Sequence, residues 1–383
     1  RGFFYIFFLF SLVSMNTSIF ISDKIDQDTN IIWFENSNNY IVVNDVINNL
    51  ILNKLSPSKY SLKVESIKTL EKLNNQSILK EISTLISDCN KTSNRKEIEE
   101  VDLINFISKY HTKICFNNRV VKIEYENKNL KELIDPKFSH LNSDEKEEIT
   151  YRVCKIDKKI VLFKEDKFIG SWNADEMHEF QGKVSMELTS FFHGKDESEW
   201  TCVFHGSTLS KKEKSIMLTG DSGSGKSSLS TILMDNNFSL VADDFSPMSI
   251  SGNHYNFPSA ISIKEGFYKS ATELYKINFE SLKEYFISEI KGNVKYLPPD
   301  NKNKMVLSTR CDKVFNVKFG KNLSNEIKEV NKGNALNKIL PDSWISNNME
   351  HAKSFINWVK QTRFYDLTYN NDEEIIKMIN KII

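Results

Sequence analysis

Paired cysteines are missing from this chain. Its five cysteines, Cys89, Cys115, Cys154, Cys202 and Cys311, are scattered, odd in number and without a C-x-x-C pair. That spacing excludes a ribbon-type zinc site and a disulfide framework, and makes a reducing cytoplasm the expected home. Net charge is missing too: 51 Lys and Arg balance 51 Asp and Glu. No global field therefore draws the chain to nucleic acid or to an anionic membrane. The most apolar run, residues 1–14, falls short of the roughly 20 residues a bilayer span requires. It is followed by no small-x-small cleavage site before Met15. Translation from Met15, with residues 1–14 an upstream reading-frame artefact, is the expectation; a membrane anchor is the alternative. No internal repeat is found.

What is present is concentrated in Ser215-Ile-Met-Leu-Thr-Gly-Asp-Ser-Gly-Ser-Gly-Lys-Ser-Ser-Leu-Ser230. Gly220, Gly225, Lys226 and Ser227 satisfy G-x-x-x-x-G-K-[ST]. Ile216, Met217 and Leu218 read as a buried strand before the loop, and Leu229, Ile232 and Leu233 as a helix after it. Gly220, Gly223 and Gly225 free the backbone to turn its N–H groups inward, and the helix start adds partial positive charge. The expected nucleotide cradle is Gly220, Asp221, Ser222, Gly223, Ser224, Gly225, Lys226, Ser227 and Ser228. Lys226 would reach the terminal phosphates of ATP, and the Ser227 hydroxyl would hold the accompanying Mg2+. Next, Phe238-Ser-Leu-Val-Ala242 reads as a strand ending in Asp243-Asp244. Open α/β sheets place ligands at that end of a strand. One carboxylate can serve the metal and the other can accept the proton of an attacking hydroxyl. Without the loop, the pair would read as a capped turn.

His205-Gly206, the loop 220–227 and Leu240-Val-Ala-Asp-Asp244, with the spacings between them, resemble the catalytic core of HPr kinase/phosphorylase and HPr kinase-related proteins. The resemblance implies an α/β fold: a P-loop nucleotide-binding core of the HPr kinase C-terminal, phosphoenolpyruvate-carboxykinase-like type. It also implies that Lys226 binds phosphate, Ser227 binds magnesium, Asp244 is the proton acceptor, and His205 lies beside the reacting phosphate; of the acid pair, Asp243 is then the carboxylate expected to serve the metal. A homo-oligomer is a further implication. Segments 180–188, 257–264 and 294–299 are similar to those of related proteins of unassigned substrate. Where HPr kinase carries a second metal-position glutamate, Ser262 stands here, and Glu265 is out of register. Neither phosphorylase activity nor HPr as acceptor is therefore implied.

The length allows two or three domains of about 100 to 200 residues each. Residues 15–110 read as a small α+β module: strands at 31–35 and 40–44, then helices carrying Val46, Ile47, Leu50, Ile51 and Ile78, Ile82, Leu85, Ile86. It is loosely similar to PqqD-like modules, with a docking or dimerisation role as the alternative. The polar run 90–100 reads as a surface connection. Residues 111–199 form a β-rich flanking section, with strands at 120–125, 151–156 and 160–164, a tight hairpin at Asp157-Lys158-Lys159 and one helix over 174–192. Residues 200–383 are the kinase-like domain. There Trp200–Phe204 delivers His205, and 254–257 and 260–263 continue the sheet and bring Lys264 to the same edge. Strand runs are expected at 305–307 and 314–319, and helices over 354–359 and 373–383.

The combination predicts an ATP- and Mg-dependent kinase acting on a hydroxyl of a protein, peptide or small molecule. No nucleic-acid or membrane partner is expected. A nucleotide-gated binding module and a small-molecule kinase of shikimate or nucleotide type are the alternatives. The free carboxylate favours chemistry over gating, and the long stretch before the loop disfavours the second.

Overall fold

The computed structural model describes residues 19–72, 75–91, 100–103, 106–275, 279–288, 292–299 and 305–383. The apolar run 1–14 and most of the polar run 90–100 lie outside the described residues. The chain is mixed α/β and divides into two compact units, Arg1–Asn94 and Arg95–Ile383.

In the first unit, strands β1 (Phe20–Asp26), β2 (Thr29–Phe34) and β3 (Asn39–Val43) form an antiparallel meander, followed by helices α1 (Asp45–Leu55), α2 (Val64–Lys72) and α3 (Asn75–Cys89). The Asn44 side chain caps α1 by accepting from the Ile47 amide. Ile32 and Phe34 of the sheet share a core with Leu50, Ile51, Ile82 and Ile86, the residues at helical spacing. Strand β1 is an addition to the expected pair. Its polar sequence hides an edge strand whose residues, Ile25 excepted, are only half-buried or exposed.

The second unit opens with β4 (Tyr110–Phe116), β5 (Arg119–Tyr125), α4 (Lys128–Glu132), β6 (Ile149–Ile156), β7 (Lys159–Lys164), β8 (Lys167–Trp172) and α5 (Met177–His193). The five strands make one sheet in chain order, with β5 and β6 parallel. Asp157 and Lys158, at φ 48° and 69°, form the two-residue turn between β6 and β7, the positive-φ geometry that suits a twisted hairpin. The helix expected over 174–192 begins as a 3-10 turn, Ala174–Glu176, closed by a capping box between Asn173 and Glu176, and becomes α-helical only at Met177. Phe180, Val184 and Leu188 of α5 pack on this sheet, and Ala242 and Phe257 join the same cluster.

The remaining elements are β9 (Trp200–Phe204), β10 (Ser207–Lys211), β11 (Lys214–Thr219), α6 (Lys226–Asp235), β12 (Ser239–Ala242), β13 (Ser246–Ser249), β14 (Asn253–Tyr255), β15 (Ile261–Lys264) and α7 (Tyr268–Tyr275). Then come β16 (Glu284–Ser288), β17 (Gly292–Leu297), β18 (Ser308–Arg310), β19 (Lys313–Phe319), β20 (Glu326–Val330), α8 (Lys332–Ile339), β21 (Trp344–Ile345), α9 (Met349–Gln361), β22 (Arg363–Tyr369) and α10 (Asp372–Ile382). A six-stranded sheet has the order β12-β10-β11-β19-β22-β20. Strands β11, β19 and β22 are parallel, and β10 is antiparallel to both β11 and β12. Leu229 and Leu233 of α6 and Ile375 and Ile379 of α10 are buried in one cluster with Leu218 of β11 and Phe315 of β19.

Two expectations are corrected. Segments 254–257 and 260–263 do not extend the sheet that carries the loop. β14 pairs with β13 and β18 in a five-stranded sheet, β18-β14-β13-β9-β21, and β15 pairs with β17 in a three-stranded one. Pro258 lies in the non-strand stretch between them, where it offers no N–H to a ladder. The run 305–307 is not a strand either: Met305 and Leu307 are exposed, and pairing starts at Ser308. Among the described residues no helix is long and apolar enough to cross a membrane.

Glu187 of α5 is buried beneath the β4–β8 sheet, where it accepts from the Tyr151 hydroxyl at 3.0 Å and pairs with Lys183 at 3.1 Å and Lys164 at 3.4 Å. Burial pushes its carboxyl up, but the two lysine charges and the Tyr151 bond outweigh that and hold it below the usual carboxylate range. A depressed carboxyl stabilises the fold above its unfolded pKa, and that stability is lost as pH falls through the folded value. Glu187→Gln is therefore expected to cost about 2 kcal/mol at neutral pH, with the gap to wild type closing in acid. Denaturant unfolding of both proteins at the two pH values checks this; a pH-independent gap would show that the charge is not the source.

Candidate functional site

Strands β11 and β12 each run antiparallel to β10, so they run parallel to one another and end on the same edge of the sheet. The glycine-rich loop 220–225 leaves β11 there, Asp243 and Asp244 leave β12 there, and β10 between them begins there at Ser207. Topology alone thus gathers residues from three separate stretches at one edge.

The loop is shaped by Gly220, Gly223 and Gly225, at φ 135°, 85° and 98°. A Cβ on Gly225 would come within 2.8 Å of the Phe319 Cβ and 2.9 Å of the Tyr369 hydroxyl. The loop is closed by Ser224 N–H donating to Asp221 O at 3.1 Å and anchored by Phe319 N–H donating to Ser224 O at 2.8 Å. Among the described residues the amides of Ser222, Gly223 and Gly225 have no acceptor within the chain, and the buried Ser224 hydroxyl has no partner. Ser222 and Gly223 are exposed and Gly225 is half-buried, so these amides face water and can be taken up by a ligand. Helix α6 begins directly at Lys226, with Ser227 and Ser228 half-buried in its first turn and its N-terminal dipole facing the loop.

Lys226 is 6% exposed, and its ammonium donates to the carbonyls of Gly220 and Asp221. Burial pulls its pKa down; the charges of Asp244, Asp243, Asp221 and Asp342 act in the opposite direction without cancelling the effect. Asp243 is 2% exposed and accepts from the Ser207 hydroxyl. Burial and then the Asp244 charge raise its carboxyl, against the Ser207 bond and the charges of Lys226 and Lys137. Asp244 sits at φ 60°, a left-handed conformation that Asp tolerates better than most residues. His205 meets it twice: Nδ1 lies 3.2 Å from Asp244 O, and Nε2 lies 3.8 Å from Asp244 Oδ1.

The expected residues Gly220 to Ser228, Asp243, Asp244 and His205 thus lie along one edge. Lys264 reaches it from the separate β15–β17 sheet, donating to Ser222 Oγ at 3.3 Å. Four neighbours escape sequence reasoning. Ser207 has one signal, as the first of three buried hydroxyl residues, Ser207, Thr208 and Ser210, in a short strand. Lys137, from the β-rich section, acts on Asp243, and Asp342 acts on Lys226. Tyr296, opposite Ser262 in the β15–β17 ladder, has its hydroxyl pKa raised by burial and by the Asp244 charge. These three are far away in the chain and carry no local pattern.

No family model and no curated protein matches the sequence. Among solved structures, the chain is similar to the Hpr(Ser) kinase/phosphatase from Coxiella burnetii, at 11% identity over 47% of this chain and 93% of that one, with a TM-score of 0.20. A likeness that slight carries no weight for fold or activity.

The turn that supplies both His205 and Ser207 depends on Gly206, where a Cβ would meet the Leu218 carbonyl at 2.7 Å. Gly206→Ala is expected to cost about 2 kcal/mol by forcing β10 and β11 apart. Gly182→Ala, in the open on α5, should instead stabilise by about 0.5–1 kcal/mol through helix propensity. Opposite shifts in the unfolding midpoint check the pair; equal shifts would show that the turn has room to spare.

Proposed function

We propose that the chain is an ATP- and magnesium-dependent kinase of the HPr kinase-related type, transferring the γ-phosphoryl group to a hydroxyl acceptor. One observation carries this reading: Lys226, buried behind the glycine loop, lies within the field of both Asp243 and Asp244. The chemistry needs a cation on the phosphates and a carboxylate beside them.

In this reading the free loop amides and the α6 N-terminus bind the β- and γ-phosphates, and Lys226 exchanges its bonds to loop carbonyls for bonds to phosphate oxygens. The Ser227 hydroxyl and the Asp243 carboxylate are an all-oxygen donor set of the kind magnesium accepts together with substrate phosphates. When bound, magnesium would neutralise charge on the phosphates. Ser207 fixes one oxygen of Asp243. Asp244 accepts the proton of the acceptor hydroxyl, and His205 holds its carbonyl and carboxylate in place for that transfer.

Lys226→Ala is expected to abolish measurable nucleotide binding. Asp244→Asn should bind nucleotide within about threefold of wild type yet lose about a hundredfold or more in transfer rate. Titration with nucleotide and turnover of γ-labelled ATP separate the two effects; a fully active Asp244→Asn protein would place the base elsewhere. Incubating γ-labelled ATP with native lysate, then splitting protein from small molecules, names the acceptor class by where the label goes. Label released only as inorganic phosphate would count against a kinase.

A further inference from the structure

We infer that the ring of Phe319 is the ledge on which the base of the bound nucleotide stacks, an inference that rests on the triphosphate reading above. The direction of the nucleotide follows from the sheet. Asp243 and Asp244 leave β12, on the β10 side of β11. The transferred phosphoryl group belongs there, between Lys226 and Asp244. The nucleoside end must then leave the loop the other way, across the carboxyl ends of β19 and β22. Both strands run parallel to β11 and therefore finish on the same edge.

Phe319 is the last residue of β19 and is 44% exposed, whereas Phe315 and Val317, the alternate residues on its strand, are 0% and 1% exposed. Its amide donates to Ser224 O at 2.8 Å. Its ring lies 5.0 Å from that of Tyr369, whose hydroxyl donates to Gly225 O at 3.2 Å. The ring is thus tied to the loop at two points, an exposed aromatic face of fixed position beside the phosphate cradle. Such a face stacks on any base, because every base has a π surface. The exposed Lys321 and Asn322 follow after Gly320 and are polar groups within the same turn of chain.

A single exposed phenylalanine is also an ordinary surface feature, so the test must read the base separately from the phosphates. Full-length protein is titrated calorimetrically with Mg-ATP and with Mg-tripolyphosphate, as wild type, Phe319→Leu and Phe319→Trp. Leucine keeps apolar contact with Tyr369 without a stacking face, and tryptophan keeps the face. The leucine variant should bind ATP roughly tenfold more weakly, the order of one lost base–aromatic stack. Its tripolyphosphate affinity should be unchanged, and the tryptophan variant should restore ATP binding. Equal loss of both ligands would overturn the inference by reducing Phe319 to a support of the loop, and undiminished ATP binding would overturn it outright. Wild type that binds neither probe would remove the triphosphate reading itself, and the base ledge with it.

Discussion

The site depends on one constraint of strand direction. Because β10 is antiparallel to both of its neighbours, β11 and β12 share a direction, and the strand between them must start where they stop. That places the His205–Ser207 turn between the loop and the acid pair. Gly206 is the condition for it, since a side chain there would strike the backbone of β11. Ser207 then donates to the Asp243 carboxylate, and His205 meets Asp244 at its carbonyl, with its carboxylate 3.8 Å away. Had β10 run the other way, its hydroxyls would line the opposite edge, and Asp243 would be buried without a donor, at a cost of about 1–3 kcal/mol.

The electrostatics at this edge are unbalanced in a way that suits a ligand. Removal from water works against the charged forms of both Lys226 and Asp243, and their mutual attraction does not restore either to its ordinary range. Buried opposite charges seldom repay their desolvation unless further hydrogen bonds are made. Here the ammonium spends two of its donors on loop carbonyls, and Asp243 has one hydroxyl. A polyanion carrying its own cation would give each group a stronger partner without moving a strand. The scaffold supplies the stability that this arrangement does not: the loop is held from behind by Tyr369 and Phe319, and α6 is buried against α10 and β11.

The part of the site that was legible in the sequence is the part built from neighbours in the chain. Strand, glycine turn, lysine and helix lie within residues 214–235, and a phosphate loop needs that order, so composition and periodicity place them. The acid pair was legible for the same reason, as the end of the next apolar strand. The contributions that sequence could not place arrive across sheets: Lys137 from beside the β4–β8 sheet, Tyr296 from the three-stranded β15-β17-β16 sheet, Asp342 from the segment before β21. Periodicity also misjudged the segments after β13. An alternating apolar run states that a residue belongs in a sheet but not in which one, and partner choice was settled by the break around Pro258. Met305 and Leu307 show the converse, apolar residues that lie outside any strand and stay exposed.

The side of the edge facing the acids differs in kind from the side facing Phe319. Around Asp244 stand His205 and Tyr296, with Ser262 paired across from Tyr296 and Lys264 two residues further along that strand. Ser262 adds no charge to that wall, while Lys264 adds a positive one at the mouth of the loop. An anion approaching from that side therefore meets less repulsion than it would against a further carboxylate at 262. Tyr296 keeps its proton the more firmly for lying near Asp244, so at neutral pH it remains a donor.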